Sequence, residues 1–575
     1  MTNTRPATLS MPRIGNSYDA DEALRSYLKR ALPAEVLAEI EPGLRSLGAR
    51  AAGELAACAD QAETQPPKHV PFDAWGARVD RLETSPGWAR LRAAVAEEGL
   101  VAIPYERRHG ALSRVHQAAR LVLYHPSSAT FTCPVGMTDG AARVIDRYAS
   151  PELRARALPR LTARDPSALW TSGQWMTEYS GGSDVAHGET VARPDGEGGY
   201  RLFGHKNFVS ALDGDTAIVL ARMEGAPAGA KGLSLFFAEL KDPAGNWRGL
   251  SIDRLKDKLG TRAVPTAEVT LNGLPAVLVG EAGGGVRRIA TMLNITRLHN
   301  ACGAIGYLRR GLMLARDYAP RRSAFGRRLV DWPLHLEVLS DLQVEFEGAM
   351  HLTLRVAELA GRDENGDAGD DERALRRVLT AIAKALTAKI AVAGCSEVLE
   401  CFGGVGYLED TGLPRLLRDA QVLPIWEGTT NVLGLETLRA LGGPGAAAAL
   451  FEDTTRLLRD AKSEFPAESD KLLKTAGALG PLLAPGRDPE DLQASARALM
   501  LTIGRLYTGA LLLRHAAWSL RANEPGREAR AAAAVRWCRR VPPAPSVDPE
   551  HRRLSRALAL GLDDSASSRE GDIES

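Results

Sequence analysis

Cysteine is scarce in this chain. Its 575 residues include six, Cys58, Cys133, Cys302, Cys395, Cys401 and Cys538, scattered and without a C-x-x-C pair. That argues against a disulfide framework and a zinc site, and it points to reduced thiols in a reducing, cytoplasmic compartment. An excess of one charge is also lacking: 72 lysines and arginines face 71 acids. Nothing therefore draws the chain as a whole toward nucleic acid or an anionic membrane. No apolar run reads as long enough to span a bilayer, so no membrane partner is expected. The N-terminal stretch "MTNTRPATLSMPRIGNSYDADE" lacks the apolar core of a secretory signal; its first acid is Asp19, which leaves room for a transit peptide. His187 and His205 stand isolated, without metal-ligand spacing, so no metal is expected. The glycine-rich "GEAGGGVRR" lies in no β-α-β context, which speaks against a dinucleotide fingerprint. There are no internal repeats.

What is present is enough chain for several cores. Residues 1–18 read as a disordered arm. From 19 to 165 the pattern is helical: "DEALRSYLKRAL" and "PGWARLRAAVAEEGL" repeat apolar positions every three to four residues. From 166 to 285 the texture changes. "YRLFGHKNFVSA", "TAIVLARM", "GLSLFFAEL" and "TAEVTLNGLPAVLV" read as strands of an antiparallel sheet or barrel. Long amphipathic helices return over 286–444, a length that suits a bundle. "LGGPGAAAAL" marks a boundary, a further helical module runs over 445–560, and 561–575 reads as a disordered tail. The expected class is α+β, mostly α: an N-terminal helical domain, a middle antiparallel β domain, a C-terminal four-helix bundle and an extra helical module.

Four segments carry chemistry. "LPIWEGTTN", 423–431, sets Glu427 against Trp426, then loosens the backbone at Gly428 and offers Thr429, Thr430 and Asn431. That is a poor core and a suitable place for a reactive acid beside a polar cofactor. "WMTEYSGGSDVA", 175–186, surrounds a glycine pair with Thr177, Ser183 and Asp184, where backbone N–H groups and hydroxyls suit a diphosphate or a polar ring edge. "RRSAFGRRL", 321–329, is dense in arginines, whose forks suit phosphate, and places Phe325 beside Gly326. "CFGGVGYLED" adds a glycine-rich turn around Gly404. Taken alone, each segment also reads as ordinary turn, helix-end or packing chemistry.

Together they read differently. "MTEYSGGSD", "KNFVS", "KLGTR", "RLHNACGAIG", "RRSAFG", "FGGVGY" and "IWEGTTN" follow one another in an order and spacing that resembles the acyl-CoA dehydrogenase family over residues 20–440. "TCPVGMT", the Gly-Gly-Ser-Asp form of the first motif, Phe208 and Ser210, Pro333 after "RRLVDW", and the extra module look like its AidB-type adaptive-response branch. The resemblance implies FAD, an acyl-CoA substrate and a homotetramer, a dimer of dimers in which one subunit helps to bind its neighbour's flavin. It also implies an electron-transfer flavoprotein or other acceptor.

Residue by residue, the resemblance implies that Met176 and Thr177 meet the edge of the isoalloxazine ring, while Gly182 and Ser183 serve the diphosphate. Phe208, where most relatives carry tryptophan, and Ser210, where they carry threonine, would lie near the reactive face. Arg322 and Phe325 would reach the FAD of a neighbouring subunit, and Gly404, Thr429 and Asn431 would complete that cradle, with Trp426 and Gly428 beside it. Cys133 would line the acyl pocket and Arg297 would support the base loop. Glu427 aligns with the catalytic base. The helix position where some relatives carry theirs holds Thr296 here.

The implied reaction is α,β-desaturation of a thioester, Glu427 taking the Cα proton and the flavin the Cβ hydride. Burial against apolar groups raises a carboxylate's proton affinity toward working pH, and donors to the thioester carbonyl stabilise the developing enolate. Tyr179, Asn294 and Glu400 depart from the usual pattern and leave the substrate open. An alternative is an AidB-like flavoprotein that binds DNA or acyl-CoA with little turnover. For DNA, residues 445–575 hold 19 basic against 18 acidic residues, and only 527–556 is locally basic, with eight arginines against Glu528, Asp548 and Glu550. A third reading makes the module an oligomer interface.

Overall fold

The computed structural model describes residues 11–484 and 486–561. The expected tail at 562–575 and residues 1–10 of the expected arm lie outside them. The arm is corrected at its end: Ser17 and Tyr18 are buried, and the Ser17 N–H and hydroxyl both donate to the Gly48 carbonyl. A tyrosine that can cover helical surface does not stay in solvent.

The chain divides into two units. The first comprises residues up to Ala368 together with Thr387–Glu427; the second comprises Gly369–Leu386 and the residues from Gly428 onward. The first opens with α1 (Glu22–Ala31), α2 (Ala34–Ala52) and α3 (Glu54–Thr64), then β1 (Lys68–Phe72) and β2 (Arg78–Glu83). It continues with α4 (Pro86–Glu97), α5 (Ile103–Glu106), α6 (Ser113–Tyr124), α7 (Thr132–Tyr148) and α8 (Pro151–Leu161). Ser85 and Ser150 cap α4 and α8, each followed by proline in the first turn, where a missing N–H costs nothing. The β1–β2 hairpin is a finding that the sequence did not announce.

The middle domain is built from β3 (Ser172–Trp175), β4 (Val191–Pro194), β5 (Tyr200–Ser210), β6 (Thr216–Met223), β7 (Leu233–Glu239), β8 (Leu250–Leu255) and β9 (Thr266–Leu278). Pairing runs β6-β4-β5-β9-β7 and returns from β7 to β6, so the strands close on themselves, with β3 added to β6 and β8 to β9. Closure leaves fewer open edges. Most pairs are antiparallel, as expected; β3 and β4 run parallel to β6. β6 and β7 read as continuous apolar runs because nearly every residue of both is buried. Trp175, Leu202, Val219, Phe236, Val269 and Leu271 are part of the core.

The first unit ends with α9 (Gly285–Tyr318), the small hairpin of β10 (Ser323–Ala324) and β11 (Arg327–Arg328), α10 (Pro333–Asn365), the second half of α11 (Asp370–Glu400) and α12 (Leu413–Ala420). α9 lies close on α7: a Cβ at Gly136 would meet the His299 ring, and one at Gly140 would meet Met292. The second unit takes the first half of α11, then α13 (Thr430–Leu441), α14 (Ala446–Ala461), α15 (Pro466–Leu479), α16 (Pro489–Arg521), α17 (Arg527–Arg539) and α18 (Pro549–Leu560). α16 is its central helix. A Cβ at Gly504 would strike Ile382, one at Gly509 would strike Leu472, and the Trp537 indole donates to the Arg505 carbonyl at 2.9 Å. In space, 369–386 and 428–444 pack with the module that follows the expected 444/445 boundary.

One reading of composition is corrected. α11 and α16 are each long and apolar enough to cross a membrane, and most of each is buried inside the protein. Their apolar residues serve cores.

Candidate active site

The base loop follows directly from α12. The Ile425 and Trp426 N–H groups both donate to the Val422 carbonyl, which tightens the turn. Glu427 then adopts φ 56°, a left-handed conformation uncommon for a residue with a side chain, and Gly428 follows at φ 98°. Thr429 starts α13, its hydroxyl accepting from the Val432 N–H.

Neighbouring elements hold Glu427. On α9, the Thr296 hydroxyl donates to Glu427 Oε2 at 2.6 Å, and Arg297 Nε donates to the Glu427 carbonyl at 3.1 Å. From β3, Gln174 Nε2 reaches Oε1 at 3.4 Å. The carboxylate is half-buried. The Glu427 N–H has no acceptor among the described residues. The Trp426 indole N–H donates to Asn300 Oδ1, one helical turn beyond Thr296.

Cys133, on α7, feels the charges of both Glu427 and Lys258, so it stands near the base. Burial pushes its thiol up to about 12, which suits a wall residue and rules out a thiolate nucleophile near neutral pH.

The loop "KLGTR", 258–262, is one of the ordered motifs, and the sequence assigns no role to its residues. It docks on α12. A Cβ at Gly260 would lie 2.5 Å from the Arg418 carbonyl, and the Thr261 N–H donates to the buried Asp419 carboxylate at 2.6 Å. The Lys258 ammonium donates to the carbonyls of Thr261 and Val264 and to the Thr266 hydroxyl; burial lowers it to about 8. Glu63 of α3 faces the same place: burial first, then the charge of Asp419, raises it to about 7. No local pattern could have found this set, since Thr261 and Asp419 are 158 residues apart.

The first glycine loop lies at the end of β3. Met176 and Thr177 are half-buried, and Gly182 and Ser183 are exposed. A Cβ at Gly182 would press to 3.1 Å on the Thr177 side chain, so a glycine keeps that cradle uncrowded. The hydroxyls of Thr177 and Ser183 have no partner among the described residues. The Thr177 carbonyl accepts from the Asn207 N–H, which brings Phe208 alongside. Phe208 is 58% exposed, with the Lys256 ammonium 4.4 Å from its ring centre. Ser210 meets Thr266 at 3.2 Å.

The remaining residues are on the surface. Arg322 and Gly404 are exposed, and Phe325 caps the β10–β11 hairpin at 94% exposure. Gly428, Thr429 and Asn431 belong to the second unit. There Lys384 donates to the Gly428 carbonyl at 2.6 Å. Among the described residues no group of His, Cys, Asp and Glu could hold a metal ion.

The first unit thus combines a helical domain, a closed β domain and a helical domain that carries a glutamate on a strained loop. Comparison with known proteins agrees. Residues 11–166 match the adaptive response protein AidB N-terminal domain, and 173–274 and 283–442 match the acyl-CoA dehydrogenase middle and C-terminal domains. Residues 446–548 match an acyl-CoA dehydrogenase 11 C-terminal domain-like model. The chain belongs to the acyl-CoA dehydrogenase family of oxidoreductases, in its AidB-like part.

Acyl-CoA dehydrogenase family member 11 of Caenorhabditis elegans is 42% identical over 92% of this chain and 88% of its own length. The putative acyl-CoA dehydrogenase AidB of Escherichia coli is 34% identical over 66% of this chain and 70% of its own. A crystal structure of Caenorhabditis elegans ACDH-11 in complex with C11-CoA superposes with a TM-score of 0.93 at 39% identity, over 98% of each chain.

Proposed function

We propose that the protein is an FAD-dependent acyl-CoA dehydrogenase that desaturates the α,β bond of an acyl-CoA thioester, with Glu427 as catalytic base. The observation that carries this reading is the grip on Glu427. Thr296 occupies Oε2 at 2.6 Å, while the partner of Oε1 is distant at 3.4 Å. Oε1 is therefore the oxygen left to take the Cα proton. Arg297 holds the carbonyl of the same residue. The unspent Glu427 N–H is a donor for the thioester carbonyl, where negative charge grows as the proton leaves.

FAD fits the residues present. Thr177 and Ser183 offer unspent hydroxyls beside the open cradle at Gly182, and Met176, Phe208 and Ser210 stand next to them. When bound, FAD would supply the acceptor for the Cβ hydride. Trp426 and Gly428 flank the base and would shape that side of the site, and Cys133 would line the acyl chain. The C11-CoA bound by the ACDH-11 relative supports acyl-CoA as the ligand class.

The exposed Phe325 with Arg322 and Gly404 would complete a neighbour's cofactor site in a homotetramer. An electron-transfer flavoprotein or another acceptor would reoxidise the protein. Six free thiols suit a cytoplasmic setting.

The test is anaerobic. Acyl-CoAs of graded chain length are added to the purified holoprotein while the visible flavin band is followed. Wild-type protein should bleach. Glu427→Gln should retain its flavin and bleach about a hundredfold or more slowly. Equal bleaching in the variant would overturn the assignment.

A further inference from the structure

We infer that Asn300 is a positioning residue for the base, acting through Trp426; the inference rests on the reading of Glu427 above. Its starting point is strain. A glutamate at φ 56° persists only where its surroundings over-determine it. Three side chains of α9 do so, at positions i, i+1 and i+4. Thr296 takes the carboxylate, Arg297 takes the carbonyl, and Asn300 takes the indole N–H of the preceding residue. The first two touch Glu427 itself. Asn300 touches only its neighbour.

The geometry of that third contact is informative. An indole N–H can only donate, so the oxygen of Asn300 must face it and the amide cannot be flipped. Nδ2 is then buried without a protein partner among the described residues, on a side chain only 4% exposed. Leaving a buried donor unpaired is costly, and a leucine would fill such a core position without that cost. What the amide supplies in return is the bond at its other end. Remove it, and the indole is free to turn. The turn 422–427 then keeps its backbone bonds to Val422 but loses a side-chain tether, and Glu427 can relax out of the left-handed region and off Thr296. Asn300 thus sets how much of the time the carboxylate is in position.

The experiment compares Asn300→Leu, Trp426→Phe and the double variant as holoproteins, with Glu427→Gln alongside. It follows flavin reduction anaerobically over a range of acyl-CoA concentrations. Asn300→Leu should slow reduction at saturation about tenfold, the scale of one lost hydrogen bond, with flavin content and half-saturating substrate near wild type. In the Trp426→Phe background it should change nothing further, because both substitutions break the same bond. A merely structural role would instead add its loss in either background. Multiplied losses in the double variant overturn the inference, as does wild-type reduction in Asn300→Leu. If Asn300→Leu does not fold, wild-type reduction in Trp426→Phe overturns it, and a roughly tenfold slower one upholds it. Rapid reduction by Glu427→Gln would instead remove the underlying reading of the base, so the two failures are distinct.

Discussion

At the scale of single residues, the base was legible and its supports largely were not. "WEG" on a glycine-loosened loop announces Glu427, and the resemblance supplies Arg297. In the sequence Thr296 stands out only as a position that lacks an acid; the structure gives it the shortest bond to the carboxylate, 2.6 Å. Glu63, Lys258 and Asp419 were invisible because their meaning comes from burial and distant pairing. They now yield a pH dependence. Glu63 is raised from 4.5 to about 7 by burial and by the charge of Asp419. The stability it contributes is therefore fully present below about pH 4.5 and is lost as the pH rises toward 7. Glu63→Gln stays neutral throughout. Relative to wild type it should gain up to roughly 3 kcal/mol by pH 8, and the two should converge below pH 4.5. Urea midpoints at both pH values measure this; parallel behaviour of the two proteins would refute it.

At the scale of elements, helices and strands follow from periodicity, whereas their partners do not. β6 and β7 could be read from apolar runs. The β1–β2 hairpin could not, because "KHVPF" and "RVDRLE" are short, mostly exposed and rich in charge. α11 shows the same limit: its apolar stripe runs across two units without a break in pattern. The helices that frame the site are joined by small residues and by buried charge. Burial alone would raise Asp139 of α7, but Arg114 of α6 at 2.5 Å and His299 of α9 at 2.8 Å outweigh it and hold the carboxyl well below its usual range. On α9, a Cβ at Gly303 would lie 2.7 Å from the His125 ring, which is itself buried edge-on to Tyr307. A rigid ring cannot yield as a flexible chain end can. Gly303→Ala should cost about 1–3 kcal/mol through overpacking, seen as a lower denaturation midpoint, and no change would show that α9 and the turn at His125 can part freely.

At the scale of the whole molecule, the seven ordered motifs identified the dehydrogenase body, while composition alone left the role of the last module open. Three of the eight arginines in its locally basic stretch are engaged within the protein. Arg552 pairs with Glu490 and Asp491, Arg553 pairs with Glu550, and buried Arg530 donates to the Pro525 carbonyl. Such arginines have few charges left for phosphates. A labelled duplex should therefore run unshifted with the protein at about 0.15 M salt, and a retarded band there would restore the nucleic-acid reading. The central claim concerns one proton. An acyl-CoA with sulfur in place of Cβ can give up its Cα proton but has no hydride to lose. Its uptake of deuterium at Cα from heavy water, followed by mass spectrometry, isolates the step assigned to Glu427. The holoprotein should catalyse that uptake and Glu427→Gln should not; equal uptake by both would contradict the account.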